Sequence, residues 1–413
     1  MNRISESPFL RPASLLIVLL CCLAGLPGRA IGQSPAKDGT PSPFRPRDPL
    51  NAVAFDRFYN LDHDRAVQGF QRVAQKYPED PFAVNHLLTA VLFRELYRIG
   101  ALNSGEYAND SFVNTAHRPA DPRVKQQIKA LVERALQLEQ KRLDADAKDV
   151  DALYARGVTR AQFATYTALI EHAWFSALRN SVGARQDHEK VLELNPAYTD
   201  AKLVVGAHNY VLGSLPWAVK VGASMLGLGG NREKGLQYLQ ECAMAGGEAS
   251  IDAKVLLMLF LRREQRYDEA LRFDRELIGR FPQSSLLVLE EGNLLRASKK
   301  TQEAEAVYRR VWQAGEEGRY PGQHYEIAAN SLGDLLRSKK DYAGAVSAYE
   351  LLSTVSQPDP EVKQKASLGA GEMYDVLKER DLAVRKYQEV LAVNSGNGPA
   401  EAARRFMKEA YRE

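Results

Sequence analysis

One spacing recurs through the C-terminal half of this chain and leaves few folds open to it. Gly292 is followed twelve residues later by Ala304, and four further on by Tyr308. Gly333, Ala345 and Tyr349 repeat the interval, as do Gly371, Ala383 and Tyr387. Met258, Ala270 and Asp274 keep it upstream, Pro282 closes that unit, and Met258 lies 34 residues before Gly292. Small residues at such distances mark places where two helix backbones come close. The residue one turn after the alanine shares its face and fills the gap to the neighbouring unit. Polar stretches at 263–268, 338–340 and 378–380 fall between the halves as turns. Each unit therefore reads as two antiparallel helices. No Asn-Gly or Asp-Gly hairpin flanked by alternating β-branched residues is present, so the chain is expected to be all-α.

Weaker copies continue upstream. Ala66, Phe70 and Pro78 keep the later part of the spacing. Gly157 opens a unit whose Ala184, His188 and Pro196 come 15 residues late, and Gly206 opens one whose Gly235, Leu239 and Cys242 come 17 late. A unit from Ala90 to Ala135 carries a surplus of 33, with Glu139 at the aromatic position. The pattern resembles the tetratricopeptide repeat, which has small residues at its positions 8 and 20, an aromatic at 24 and proline at 32. The resemblance implies a right-handed α-solenoid of about eight helical hairpins, two of them enlarged, with a C-terminal capping helix. Residues 1–32 then form a signal peptide and 33–49 a Pro-rich linker. Divergent hairpins with insertions follow at 50–250, regular repeats at 251–397 and the cap at 398–413.

The two enlarged units are neighbours, with surpluses at 163–181 and 211–231. Shared between two helices, fifteen residues add seven or eight to each, about 11 Å at 1.5 Å per residue. Two over-long hairpins side by side are expected to pack together, with Phe163, Tyr166, Trp174 and Phe175 facing Trp217, Val219, Met225 and Leu226. The stretches 212–217 and 227–236 are similar to a segment of the mitochondrial outer-membrane inclusion-body clearance family. That likeness implies a membrane-proximal adaptor and no catalysis, with Trp217, Met225 and Leu226 as membrane or partner contacts. The chain departs from that cytosol-facing family at its amino terminus. There Arg3 and Arg11 precede a 14-residue apolar run, Ala13 to Leu26, and Ala30-Ile31-Gly32 offers a small-x-small cleavage pattern. Fourteen apolar residues fall short of a bilayer of about 30 Å. The mature chain is expected outside the cytoplasm, periplasmic or secreted, whether the signal is cleaved near Gln33 or kept as an anchor. Five prolines between Gln33 and Pro49 read as an extended, unpacked linker.

Composition narrows the function. Residues 33–413 hold 52 basic and 51 acidic side chains, a balance that argues against a nucleic-acid-coating protein. Cys242 stands alone once Cys21 and Cys22 leave with the signal, so neither a disulfide nor a cysteine zinc site is expected. The seven histidines form no His-x-x-x-His pair and no His-Glu-x-x-His. Gly227-Leu-Gly-Gly230 lacks the ending of a phosphate loop, and no Gly-x-Ser-x-Gly elbow occurs. His188 and Cys242, at repeat positions, read as packed core. The expectation is a protein or peptide partner, with no enzyme activity, metal or cofactor.

In tetratricopeptide folds, positions 2, 5, 9 and 12 of the first helix line the concave face. Position 12 falls on Arg262, Arg296 and Arg337 in successive units, then on Asp375; Asn293 and Asn330 fall at positions 9 and 5. A row of guanidinium groups across a groove suits a carboxylate or an acidic peptide. The same arginines also suit the negative end of a helix dipole, solvated and unoccupied. Asp334 and Glu372 partly neutralise the row, and both readings stay open at this point. The alternative to groove binding is an adaptor at a membrane surface, working through the apolar insert 212–230.

Overall fold

The computed structural model describes residues 44–102, 118–215 and 229–413. Every regular element among them is helical, and seventeen α-helices follow one another: α1 Pro49–Tyr59, α2 His63–Lys76, α3 Pro81–Arg98, α4 Pro122–Ala145, α5 Val150–Leu169, α6 Trp174–Leu194, α7 Lys202–Gly213, α8 Arg232–Ala245, α9 Ser250–Arg263, α10 Tyr267–Arg280, α11 Ser285–Ala297, α12 Thr301–Glu316, α13 Ile327–Ser338, α14 Tyr342–Glu350, α15 Pro360–Val376, α16 Arg380–Val393 and α17 Gly398–Lys408. They make eight consecutive pairs of an α-solenoid, with α17 after the last. The chain forms two compact units, meeting at Leu277 and Ile278 inside α10.

Local chemistry sets the helix boundaries. Asp48, Asp80, Asp121 and Asp359 each accept a backbone N–H at the start of α1, α3, α4 and α15, with proline next in line. Proline loses nothing there, because the first N–H groups of a helix have no intrahelical partner. In five of the pairs the turn has one form: Leu61, Gln265, Lys299, Lys340 and Lys378 all adopt φ between 59° and 67°. A left-handed residue reverses the chain within three residues, at a cost of roughly 1–2 kcal/mol in a side-chain-bearing residue.

The recurring glycines and tyrosines meet within each pair. A Cβ placed on Gly292, Gly333 or Gly371 would lie 2.4–2.6 Å from the ring of Tyr308, Tyr349 or Tyr387. In the third pair His188 takes the ring's place against Gly157. The tyrosine thus lies flat on the first helix of its own pair. Tyr349 also reaches the following pair at Gly369, which fits the expected gap-filling role as well.

In the N-terminal unit the long helices belong to the second and third pairs: α3 and α4 have 18 and 24 residues, α5 and α6 have 20 and 21. The helices of the fourth pair have only 12 and 14. The extended ends of the second and third pairs pack on each other. Tyr166 is buried in one core with Leu92, Leu96, Ile128 and Val132, and Phe163 and Trp174 pack against it. The expected meeting of Phe163, Tyr166, Trp174 and Phe175 with the apolar residues of the fourth pair falls outside the described residues. Phe175 is 89% exposed, and Trp217, Val219, Met225 and Leu226 lie outside the described residues.

Residues 44–48 correct the unpacked-linker expectation. Phe44 is buried with its ring 4.2 Å from that of Phe55, and Arg45 reaches Asp151 and Glu248. Tyr59 donates to Asp252 Oδ1 at 3.1 Å. The first pair therefore touches the start of the fifth.

Candidate binding surface

In the C-terminal unit the first helices α11, α13 and α15 carry a band of polar groups. Asp334 is solvent-accessible yet recessed among protein, so desolvation pushes its carboxyl pKa up. The Tyr349 hydroxyl, donating to Oδ1 at 2.6 Å, and the charges of Arg296, Arg337 and Lys365 act the other way. Arg296 and Asn330 are half-buried, and neither side chain is hydrogen-bonded to another described residue. Lys365 is exposed one helix further on.

The other residues expected to grip a ligand have internal work. Arg337 donates through Nη1 to Glu372 Oε2 at 2.5 Å and through Nη2 to the Tyr411 hydroxyl at 2.7 Å, with its guanidinium 5.3 Å from that ring. The Tyr411 backbone N–H donates to Asp375 Oδ2 at 2.8 Å, and the Tyr342 hydroxyl bonds Glu413. Residues 411–413 thus lie along the first-helix ends, and Arg337 is neither a bare cation nor a solvated dipole cap. Asn293 accepts from the Tyr308 hydroxyl at 2.9 Å and donates to Glu290 at 3.2 Å. Arg262 belongs to the other unit and is 8% exposed. What stays presented is Arg296, Asn330, Asp334 and Lys365. Between α14 and α15 a cavity of about 20 Å³, lined by Tyr349, Glu350, Lys386 and Glu389, has room for a single water.

The N-terminal unit holds a group that sequence reasoning missed. Arg45 Nε and Nη2 donate to the two oxygens of Glu248 at 3.0 and 2.8 Å, and Nη1 to Asp151 Oδ1 at 2.5 Å. Its guanidinium lies 4.0 Å from the Phe82 ring centre and 5.4–5.6 Å from those of Tyr198 and Tyr154. Nothing in a Pro-rich stretch sets Arg45 apart from Arg47, so no sequence signal could have found it.

Titratable side chains elsewhere are core groups. His188 is buried against Tyr154, its Nδ1 2.8 Å from the Ala184 carbonyl. His208 lies 3.5 Å from Ser181 Oγ and 3.4 Å from Arg185 Nη1. Arginine can only donate, so Nε2 accepts and Nδ1 carries the proton toward Ser181. Burial also lowers the His208 pKa to about 3. A neutral ring that donates to serine does not activate it as a nucleophile. Cys242 is wholly buried, and desolvation raises its pKa well above the ordinary thiol range. Among the described residues no three His, Cys, Asp or Glu converge as a metal site, and no helix is long and apolar enough to cross a membrane. The expected contacts Trp217, Met225 and Leu226 are not among the described residues.

Buried between α3, α4 and α5, Glu139 occupies the repeat's aromatic position. Its Oε1 lies 2.6 Å from Thr159 Oγ1 and 3.4 Å from Asn85 Nδ2, while Thr159 Oγ1 is also 2.7 Å from Asn85 Oδ1. One hydroxyl proton cannot serve both oxygens, so the network closes when Glu139 brings a proton of its own. Desolvation likewise pushes this carboxyl up to about 7.

Residues 58–80, covering the end of α1, the Leu61 turn and α2, match the tetratricopeptide repeat model. Solved structures of other repeat proteins also align with the chain. One, from a functional characterization of Pseudomonas aeruginosa pilF, has a TM-score of 0.37 at 16% identity over 63% of this chain and 99% of that one. The APC/C hetero-tetramer Cut9–Hcn1 gives 0.44 at 13% identity over 88% and 55%. The human IFIT1 dimer with PPP-AAAA gives 0.40 at 15% identity over 88% and 82%. No curated protein matches the chain. Likenesses of this size assign no ligand here.

Proposed function

We propose that the chain, which resembles tetratricopeptide-repeat proteins in its helical pairs, works as an exported scaffold that holds a partner protein without turning it over. Its working surface is the first-helix face of the C-terminal unit. The observation that carries this reading is the pair Arg296 and Asn330, whose side chains are bonded to no other described residue on a face where Asn293, Asp334 and Arg337 are engaged. With Lys365 beside them, they offer two cations and an amide to an extended segment. A carboxylate-bearing peptide suits such a face, since charge-assisted hydrogen bonds to arginine are among the stronger polar contacts available to a groove. Stacked helical pairs give a surface of this kind without forming a deep pocket. Export rests on the n-region, apolar run and small-x-small pattern of residues 1–32.

The test compares three baits in crosslinking from the envelope fraction: the unchanged chain, Arg296→Ala/Lys365→Ala, and Arg309→Ala/Arg385→Ala on the second helices α12 and α16 as a charge-matched control. A protein captured by the first and third and lost from the second supports the reading. Equal capture by all three sinks it. Amino-terminal sequencing of the cell-borne protein checks export; a start near Gln33 is expected, and an intact Met1 in the cytoplasm argues against it.

A further inference from the structure

The Arg45 site is built by four helical pairs, and the segment that fills it comes from outside them. Phe82 stands at the start of α3, Asp151 and Tyr154 in the first turn of α5, Tyr198 just before α7, and Glu248 just before α9. These walls converge where the pairs begin, so the pocket's shape belongs to the repeats. Residues 44–48 supply only the occupant. Phe44 packs on Phe55, Pro46 accepts from Asn51 Nδ2 at 2.7 Å, and Asp48 caps α1.

The pocket's charge demands a guanidinium. Asp151 and Glu248 pair with no other cation among the described residues. Nearby, the half-buried Asp200 accepts the Ala249 N–H at 3.0 Å. Burial pushes the carboxyls of Asp200 and Glu248 up, and Arg45 is the charge that opposes the shift at both. Removing the cation leaves two carboxylates facing each other's field in a recess lined by aromatic rings. The geometry also discriminates. A two-pronged bond to Glu248, a third to Asp151 and a flat stack on Phe82 match a planar, five-donor group; the point charge of lysine satisfies one prong at a time. The Arg45 backbone N–H adds a bond to Glu248 Oε1 at 3.3 Å, so the pocket reads main chain as well as side chain.

We propose that this pocket is an arginine-recognition site, held in the free protein by Arg45 and able to take the arginine of an extended, proline-flanked partner segment in its place. Residues 44–48 are then a built-in competitor at the edge of the repeats. The inference is independent of the proposed C-terminal face, which lies in the other unit.

The experiment uses the mature chain and its Arg45→Ala variant, probed with a fluorescent peptide of residues 42–48 and with the same peptide carrying lysine in place of Arg45. The expected result is binding to the variant at least tenfold tighter than to the unchanged chain. The lysine peptide should bind at least tenfold more weakly than the arginine peptide, and adding Glu248→Ala should abolish binding. Should Arg45→Ala fail to fold, Arg45→Lys keeps the charge and is expected to exchange in the same way. Equal binding to variant and unchanged chain, binding to neither, or no preference for arginine would each overturn the proposal. So would a dimer of the unchanged chain that Arg45→Ala abolishes, which would make the contact an exchange between copies.

Discussion

Glu139→Gln should remove a pH-dependent loss of stability from the N-terminal unit. The carboxyl is fully buried, and desolvation holds its pKa near 7 against an ordinary 4.5; the contacts from Thr159 and Asn85 offset only part of that shift. Below pH 4.5 both folded and unfolded chains carry the proton, so the group has no effect. Between pH 4.5 and 7 the unfolded chain releases it and the folded chain keeps it, and stability falls as pH rises. At 1.36 kcal/mol per pKa unit the full loss is about 3 kcal/mol, most of it between pH 5 and 8. For a unit of roughly 200 residues melting together, that corresponds to about 6 °C. Glutamine keeps the donor to Thr159 and cannot ionise. Urea melts followed by helical ellipticity at pH 5, 6, 7 and 8 should show the variant gaining on the unchanged chain by about 2–3 kcal/mol across the range. His63 and His86, whose pKa values burial lowers to about 4 and about 3, make stability fall as pH drops below about 6.5. Their slope is common to both proteins and cancels in the difference. A difference that stays flat within 0.5 kcal/mol, or shrinks with rising pH, would refute both the buried acid and the proton assigned to it.

Three further outcomes follow from the repeat geometry. Gly333→Ala places a Cβ 2.4 Å from the Tyr349 ring, which Gly369 hems in from the next pair. It should cost about 2–3 kcal/mol, with part of the loss recovered by adding Tyr349→Leu, and a neutral result in thermal melts would argue against the tight contact. Lys340→Gly relieves a φ of 62° and should stabilise by up to about 1 kcal/mol in urea melts; a loss would mean the turn stores no strain. In a chain with Cys21 and Cys22 changed to Ser, Cys242 should react with an aromatic disulfide reagent only at unfolding denaturant concentrations, and rapid labelling of the native protein would contradict its burial.

The helical pairs were legible because they depend on neighbours in sequence. Gly292 and Tyr308 meet within one hairpin, so their spacing carries the contact. The candidate face was legible only in part. Arg296 and Asn330 stand presented, yet Arg337 is taken by Glu372 and by Tyr411, which is 74 residues away in sequence. No periodic pattern records a partner at that distance. The enlarged hairpins show the same limit. A surplus of residues was visible, but the side on which Tyr166 would pack depended on the lengths of α3 and α4, and it turned to the second pair.

By itself the sequence determined the helices, their pairing and the glycine–aromatic contacts, since these follow from 3.6-residue periodicity and from side-chain size across a single turn. Only the tertiary structure decided which charged groups remain on offer. A guanidinium is free or spent according to what the folded chain brings within about 3 Å of it. For Arg45 those groups are Asp151 and Glu248, 106 and 203 residues away. They arrive because the N-terminal unit curls until its first pair meets its fifth, and that closure is a property of stacking angles accumulated over many helices.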